Sequence, residues 1–247
     1  MVRLAARLAA GVIAAAIAAC MGNEAALEPP PVAVAVPAPA PLSQFQQWLN
    51  GFGIAYAVPQ AGKAILVNIP AFELIAFEDG TPAWRSRVII GTPWTQTPIL
   101  AARATAVRFR PTWRPTPSMI ASGEYVDRLW PPGLNNPLGL AAVQLEPLDL
   151  LIYMHDTNRR ELFDQPQRAL SHGCIRVQRW DDLAAWLLDE DLETIHAWAD
   201  GRRTFDVAIA PVPVMLGYYP AFPDDDGRLL TFDDVYGLGG SRPGTGM

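Results

Sequence analysis

Residues 64–90 read AILVNIPAFELIAFEDGTPAWRSRVII, and this stretch decides the class of fold. Ala64 to Ile69 and Phe72 to Glu78 are apolar and partly alternating, as strands are. Asp79-Gly80 is a turn signal, and Trp84 to Ile90 pairs naturally as the next strand, so a β-meander is expected. Further candidate strands are Ala102 to Phe109, Ala142 to Leu145 and Leu150 to Met154. Proline-rich loops such as Arg110 to Pro117 and Trp130 to Pro137 separate them. Asp181 then opens a helical pattern with Leu183, Ala184, Trp186 and Leu187 on one side, its acidic start suiting the helix dipole. Val212 to Tyr219 and Leu229 to Phe232 read as a last strand pair around the turn Asp224-Asp225-Asp226-Gly227. The fold expected is mainly β with a few helices.

Composition supports the same class. The chain has 247 residues, half of them hydrophobic, enough for one well-buried core. Its 19 glycines and 24 prolines favour turns and extended segments over a helical bundle. A formal net charge of −6, with no basic run outside the N-terminus, excludes nucleic acid as a partner.

The N-terminal region points to export. Arg3 and Arg7 precede an apolar stretch from Leu8 to Ala19, shorter than the ~20 residues a membrane-spanning helix needs, and residues 1–19 read as a signal peptide. Ile17-Ala18-Ala19-Cys20 resembles the bacterial lipobox, which makes Cys20 a lipidation site and the protein a periplasmic lipoprotein of the outer or inner membrane. Cleavage at Ala16-Ile17-Ala18, leaving Cys20 an incidental thiol, is the competing expectation. Residues 20–43 are rich in Ala and Pro and read as an extended stalk. Ser43 to Phe52 follows as a short amphipathic helix, and 44–63 reads as a short N-terminal helical segment.

With Cys20 lipidated, Cys174 is the sole free thiol of the mature chain and no intramolecular disulfide is expected. Cys174 lies in Ser171-His172-Gly173-Cys174-Ile175-Arg176. Acyl transfer by a thiol needs a thiolate, a base and donors facing an oxyanion, and 155–176 contains residues of each kind. A free thiol titrates near ~8.5, so a large thiolate fraction at neutral pH needs nearby positive charge. Of the three histidines, His155 and His172 lie close in sequence, His155 ending the candidate strand Leu150 to Met154. Gly173 permits the tight backbone that would aim the N–H groups of Gly173 and Cys174 at one point.

His155, fifteen intervening residues and Ser171-His172-Gly173-Cys174-Ile175-Arg176 resemble the signature of the L,D-transpeptidase catalytic domain, the YkuD-type fold. Leu66 to Phe72, Thr97-Pro98, Asn136-Pro137-Leu138-Gly139, Met154 to Thr157 and Phe232 to Gly237 resemble larger periplasmic members. The resemblance implies a β-sandwich domain over 64–200 with a β extension over 201–247 packed on it. It implies no metal and no organic cofactor. Peptidoglycan stem peptides are the implied partner: Cys174 attacks the amide between the third and fourth residues of a tetrapeptide, and a neighbouring stem's amine resolves the thioester into a 3-3 cross-link. His155 becomes the proton carrier, oriented by a backbone carbonyl such as that of Asp156, and the backbone of His172, Gly173 and Cys174 becomes the oxyanion hole. Arg176 either holds a substrate carboxylate or braces the turn, and Ser171 shapes the loop. The chain departs from the larger members in having no room for a separate peptidoglycan-binding module, and in a short 113–136 stretch where relatives carry a capping insertion.

Other assignments compete. Water as acceptor would make an L,D-carboxypeptidase or cross-link hydrolase. A protein lysine would make an enzyme that attaches lipoproteins to the wall or detaches them, and an inert site a wall-binding scaffold. Cys174, His172 and His155 lack a fourth zinc ligand at a familiar spacing. His196 reads as a surface or core-edge residue. Trp94, Trp113, Trp130 and Tyr153 could line a groove, although aromatics in strands usually pack cores. The Asp224 to Gly227 turn lacks the later Glu of a calcium loop.

Overall fold

The computed structural model describes residues 41–133 and 135–239. The signal, lipobox and most of the stalk lie outside them. Strands β1 (Lys63–Asn68), β2 (Glu73–Glu78) and β3 (Thr81–Gly91) form the expected meander. Asp79 and Gly80, at φ 47° and 78°, close the β2–β3 hairpin, the mirror-image turn that matches strand twist. Both faces of β1 and β2 are buried, which is why these strands are almost continuously apolar. Ile65, Val67, Leu74 and Ala76 face the main core. Ala64, Leu66, Ile75 and Phe77 face a second cluster with Phe45 and Leu49 of helix α1 (Gln44–Gly51). The Ser43 hydroxyl caps α1 by accepting from the Gln46 N–H at 3.2 Å.

The chain continues through β4 (Leu100–Phe109), α2 (Pro117–Ala121), β5 (Ala141–Glu146), β6 (Tyr153–His155), β7 (Ala169–Ser171), β8 (Ile175–Val177), α3 (Trp180–Leu188), α4 (Leu192–Ala199), β9 (Phe205–Gly217), β10 (Ala221–Pro223) and β11 (Leu229–Thr231). The main sheet runs β2-β1-β9-β4-β5-β6-β8-β3-β7, and β3 also pairs with β2. The first part of β3 lies on β2, and its end lies on β8 and β7. That one long strand closes the sheet around the core, with α3 and α4 contributing Trp180, Leu183, Leu187 and Ile195.

Three expectations are corrected. Residues from 201 do not form an extension packed on a finished domain: β9 lies inside the sheet between β1 and β4, so the catalytic fold does not close at residue 200. Leu229 to Thr231 pairs with Ala221 to Pro223 across the Asp224–Gly227 turn, not with the 212–219 strand. The apolar run before His155 is only partly strand. Residues Leu148–Leu150 make a 3-10 turn, Leu151 sits at φ 52°, and Leu148 and Leu151 are exposed. Their apolar character serves a surface rather than the core.

Candidate active site

Strand alternation assembles the site. β6 and β8 are parallel neighbours in the register Met154 to Ile175 and His155 to Arg176. Met154 and Ile175 are fully buried in the core. Side chains one residue away point to the opposite face, so Tyr153, His155, Cys174 and Arg176 all line one groove of about 460 Å³. His155 thus stands on the strand next to Cys174, although 18 residues separate them in sequence.

His155 is 5% exposed, and its Nδ1 meets the carbonyl oxygen of Asp156. A carbonyl only accepts, so Nδ1 carries the proton and Nε2 is left as the basic nitrogen. Burial, reinforced by the Arg176 charge, pushes the imidazole down to about 3, against the pull of the Asp156 and Leu138 carbonyls. Burial pushes the Cys174 thiol up, while the Tyr153 backbone N–H and Arg176 draw it down. The thiol lies 3.6 Å from the Leu151 carbonyl, to which it donates. The resting pair is a neutral thiol beside a neutral base. The expected positive charge comes from Arg176 and not from a histidinium.

Asp156 acts twice. Its backbone holds His155, and its buried carboxylate accepts from Leu140 N–H at 2.9 Å and from Arg160 Nη2 at 2.7 Å. Burial raises that carboxyl while Arg160 lowers it. Gly139, at φ 65°, fits because a Cβ there would meet Asp156 Oδ2 at 2.3 Å. Asn136, also buried, gives Nδ2 to the carbonyls of Pro111 (2.8 Å) and Pro131 (3.1 Å) and accepts from Leu138 N–H. The Asn136 to Gly139 motif therefore locks the loop over His155.

The Cys174 turn is tied down as firmly. Ser171 Oγ donates to the Cys174 carbonyl at 2.6 Å and accepts from Gly173 N–H at 3.1 Å. Gly173, at φ 113°, supplies a conformation that other residues resist. Its N–H is engaged by Ser171, so it is not the free oxyanion donor expected of it; among the described residues, the Cys174 N–H has no partner. His172 is exposed, with Nε2 2.9 Å from Glu124. Arg176 Nη1 is buried without a hydrogen-bond partner. Its charge is held down by burial and supported by Tyr125, Cys174 and Glu124.

Residues 111–133 and 135–137 roof the groove, a role their short length concealed. Trp113 and Trp130 exchange backbone hydrogen bonds at 3.0 and 2.7 Å, Tyr125 meets Trp113 edge-on at 4.8 Å, and Arg128 lies 4.0 Å over Trp130. Trp113, Tyr125 and Tyr153 line the groove and do not fill the core. Trp94 does neither, at 92% exposed. Glu124 and Tyr125 were not signalled by spacing, because only the fold brings the roof to His172. His196 pairs with Asp181 at 3.0 Å, away from the groove. Among the described residues, no group of three or more His, Cys, Asp or Glu is arranged to hold a metal.

Comparison with known proteins gives a consistent family. Residues 62–214 match the model of YkuD, the L,D-transpeptidase catalytic domain. A Haemophilus influenzae protein named "Putative L,D-transpeptidase" is 28% identical over 227 residues, covering 73% of this chain and 45% of that protein. The Escherichia coli "Probable L,D-transpeptidase YcfS" is 27% identical over 124 residues, covering 49% of this chain and 35% of its own. The chain thus spans less than half the length of these relatives. Among solved structures, the L,D-transpeptidase from Mycobacterium smegmatis superimposes with a TM-score of 0.38 at 20% identity, over 64% of this chain and 59% of that one.

Proposed function

Because the chain belongs to the YkuD family of L,D-transpeptidase catalytic domains, we propose that it is a peptidoglycan L,D-transpeptidase that forms 3-3 cross-links through a Cys174 thioester. The observation that carries this is the register of β6 on β8, which stands the neutral base His155 beside Cys174 in one groove with Arg176. Cys174 Sγ attacks the carbonyl carbon between the third and fourth residues of a stem tetrapeptide as His155 Nε2 takes the thiol proton. The oxyanion accepts from the Cys174 N–H. The C–N bond breaks, the leaving D-amino acid takes the proton from His155, and the thioester remains. The side-chain amine of a diaminopimelate on a second stem then attacks, His155 removes its proton, and the thiol is restored.

Arg176 holds a carboxylate of the donor peptide. Its unpartnered, buried Nη1 supports this over a bracing role, since a buried donor without an acceptor is unfavourable by about 1–3 kcal/mol until a ligand satisfies it. The protein works in the periplasm as a Cys20-linked lipoprotein, a proposal that rests on the sequence of residues 1–20 alone.

Incubation of the purified protein with disaccharide-tetrapeptides, followed by mass spectrometry of the products, tests the acceptor. A cross-linked dimer with loss of one terminal residue is expected. Tripeptide monomer alone would replace the amine by water, ligation only to a protein lysine would make it a lipoprotein-attaching enzyme, and binding without turnover would leave a scaffold.

A further inference from the structure

Behind the catalytic turn lies a buried hydrogen-bond relay that the mechanism above does not use. Thr97 Oγ1 donates to the Gly173 carbonyl at 2.8 Å and accepts from Gly91 N–H at 2.9 Å. One rank back, Tyr236 OH accepts from Thr97 N–H at 3.1 Å and donates to the Gly91 carbonyl at 2.8 Å. Each hydroxyl thus spends its single proton and an acceptor site, which fixes its direction. Thr97 and Tyr236 are 1% and 8% exposed. Tyr236 is itself held by Tyr218, whose OH accepts from Tyr236 N–H at 3.0 Å and whose ring stacks on it at 5.8 Å. The same loop grips Ser171, whose carbonyl accepts from Thr92 N–H and Thr95 Oγ1, both at 3.0 Å.

The geometry has a chemical consequence. In a trans peptide the C=O and the following N–H point in opposite directions, and the Gly173–Cys174 bond is trans. Pulling the Gly173 carbonyl back onto Thr97 turns the Cys174 N–H the other way. That N–H has no partner among the described residues, whereas the neighbouring Gly173 N–H is engaged by Ser171. At φ 113° Gly173 lacks a strong rotational preference of its own, so an external anchor is needed to hold this peptide plane.

We propose that Thr97, backed by Tyr236, is the positioning residue that aims the Cys174 N–H into the groove as oxyanion donor, an assignment that rests on the acyl-transfer function proposed above. Tyr236 lies beyond residue 214, where the family match ends. The C-terminal tail of this chain therefore belongs to the apparatus that orients its catalytic turn.

The test separates oxyanion stabilisation from thiol reactivity. Acylation of Cys174 by 4-nitrophenyl acetate passes through an oxyanion, and alkylation by iodoacetamide does not. Loss of one oriented donor slows acyl transfer by about 100- to 1,000-fold in other enzymes. Thr97→Val is expected to slow acylation by about 10- to 100-fold with alkylation changed less than about twofold, and to lower kcat more than it changes KM for tetrapeptide. Thr97→Ser restores acylation to within about threefold. Tyr236→Phe, which keeps the ring and the packing, lowers it by about 3- to 10-fold and carries the test if Thr97→Val folds poorly. Acylation by both Thr97→Val and Tyr236→Phe within about twofold of wild type, or alkylation falling in parallel with acylation, overturns the proposal. The ester contains no part of a stem peptide. A wild type that is acylated by it yet leaves tetrapeptides untouched therefore sinks only the proposed substrate, and the variant ratios on the ester still decide the role of Thr97. A wild type that is alkylated but never acylated overturns both.

Discussion

Lowering the pH from about 7 to about 4.5 should destabilise the fold through His155 alone by about 2 to 3 kcal/mol. The folded chain holds this imidazole neutral, with its pKa depressed from 6.5 to about 3, first by burial and then by Arg176. In the unfolded chain the same ring titrates normally and takes a proton as the pH drops below 6.5. Between the two values the unfolded state binds more protons, so stability falls with falling pH; above 6.5 the two states are equally neutral and the effect vanishes. Each unit corresponds to about 1.4 kcal/mol, and two units separate 6.5 from about 4.5. For a domain of this size the loss is a Tm decrease of about 5 to 10 °C. Burial also raises the carboxyl groups of Asp156 and Glu73, whose protonation brings a pH dependence of its own. Urea unfolding of wild type and His155→Gln at both pH values removes their contribution by difference. Wild type should lose 2 to 3 kcal/mol more than the variant, to about that precision. Losses equal to within about 0.5 kcal/mol would show that the folded imidazole titrates like a free one.

Three further outcomes follow from the site. Alkylation of Cys174 by iodoacetamide should keep accelerating past pH 9.0, because burial raises the thiol; a plateau below about pH 7 would reveal a preformed thiolate and contradict the neutral pair. Arg176→Lys keeps the charge and loses the planar fork, so KM for tetrapeptide should rise about tenfold while alkylation stays near wild type; an unchanged KM would return Arg176 to bracing the turn. Metabolic labelling with a palmitate analogue should disappear in Cys20→Ala, and undiminished labelling would remove the lipid from the account.

Local chemistry made the first hairpin legible. Asp79-Gly80 fits positive φ, and strands buried on both faces leave a nearly unbroken apolar run in β1 and β2. The Cys174 turn was legible for a similar reason, since Ser171, Gly173 and Cys174 interact within four residues of chain. What stayed hidden depends on contacts that only the fold creates. Thr97 reaches Gly173 across 76 residues and Tyr236 across 139. Glu124 meets His172 only because the roof that carries it folds over the groove. Leu151 misled the strand assignment because an apolar surface and a core strand use the same residues. The central place of β9 was likewise invisible, as half of this 13-residue strand is exposed and reads as a peripheral one.

The central claim is a thioester on Cys174, and the intact mass of the protein during turnover reads it directly. Rapid acid quenching of wild type mixed with disaccharide-tetrapeptide should give a protein heavier by the donor less its terminal D-amino acid, with the added mass mapping to Cys174 and labile to hydroxylamine. Cys174→Ser should show no such adduct and form no dimer. Dimer production by Cys174→Ser, or by a wild type whose adduct maps to another residue, would contradict the account.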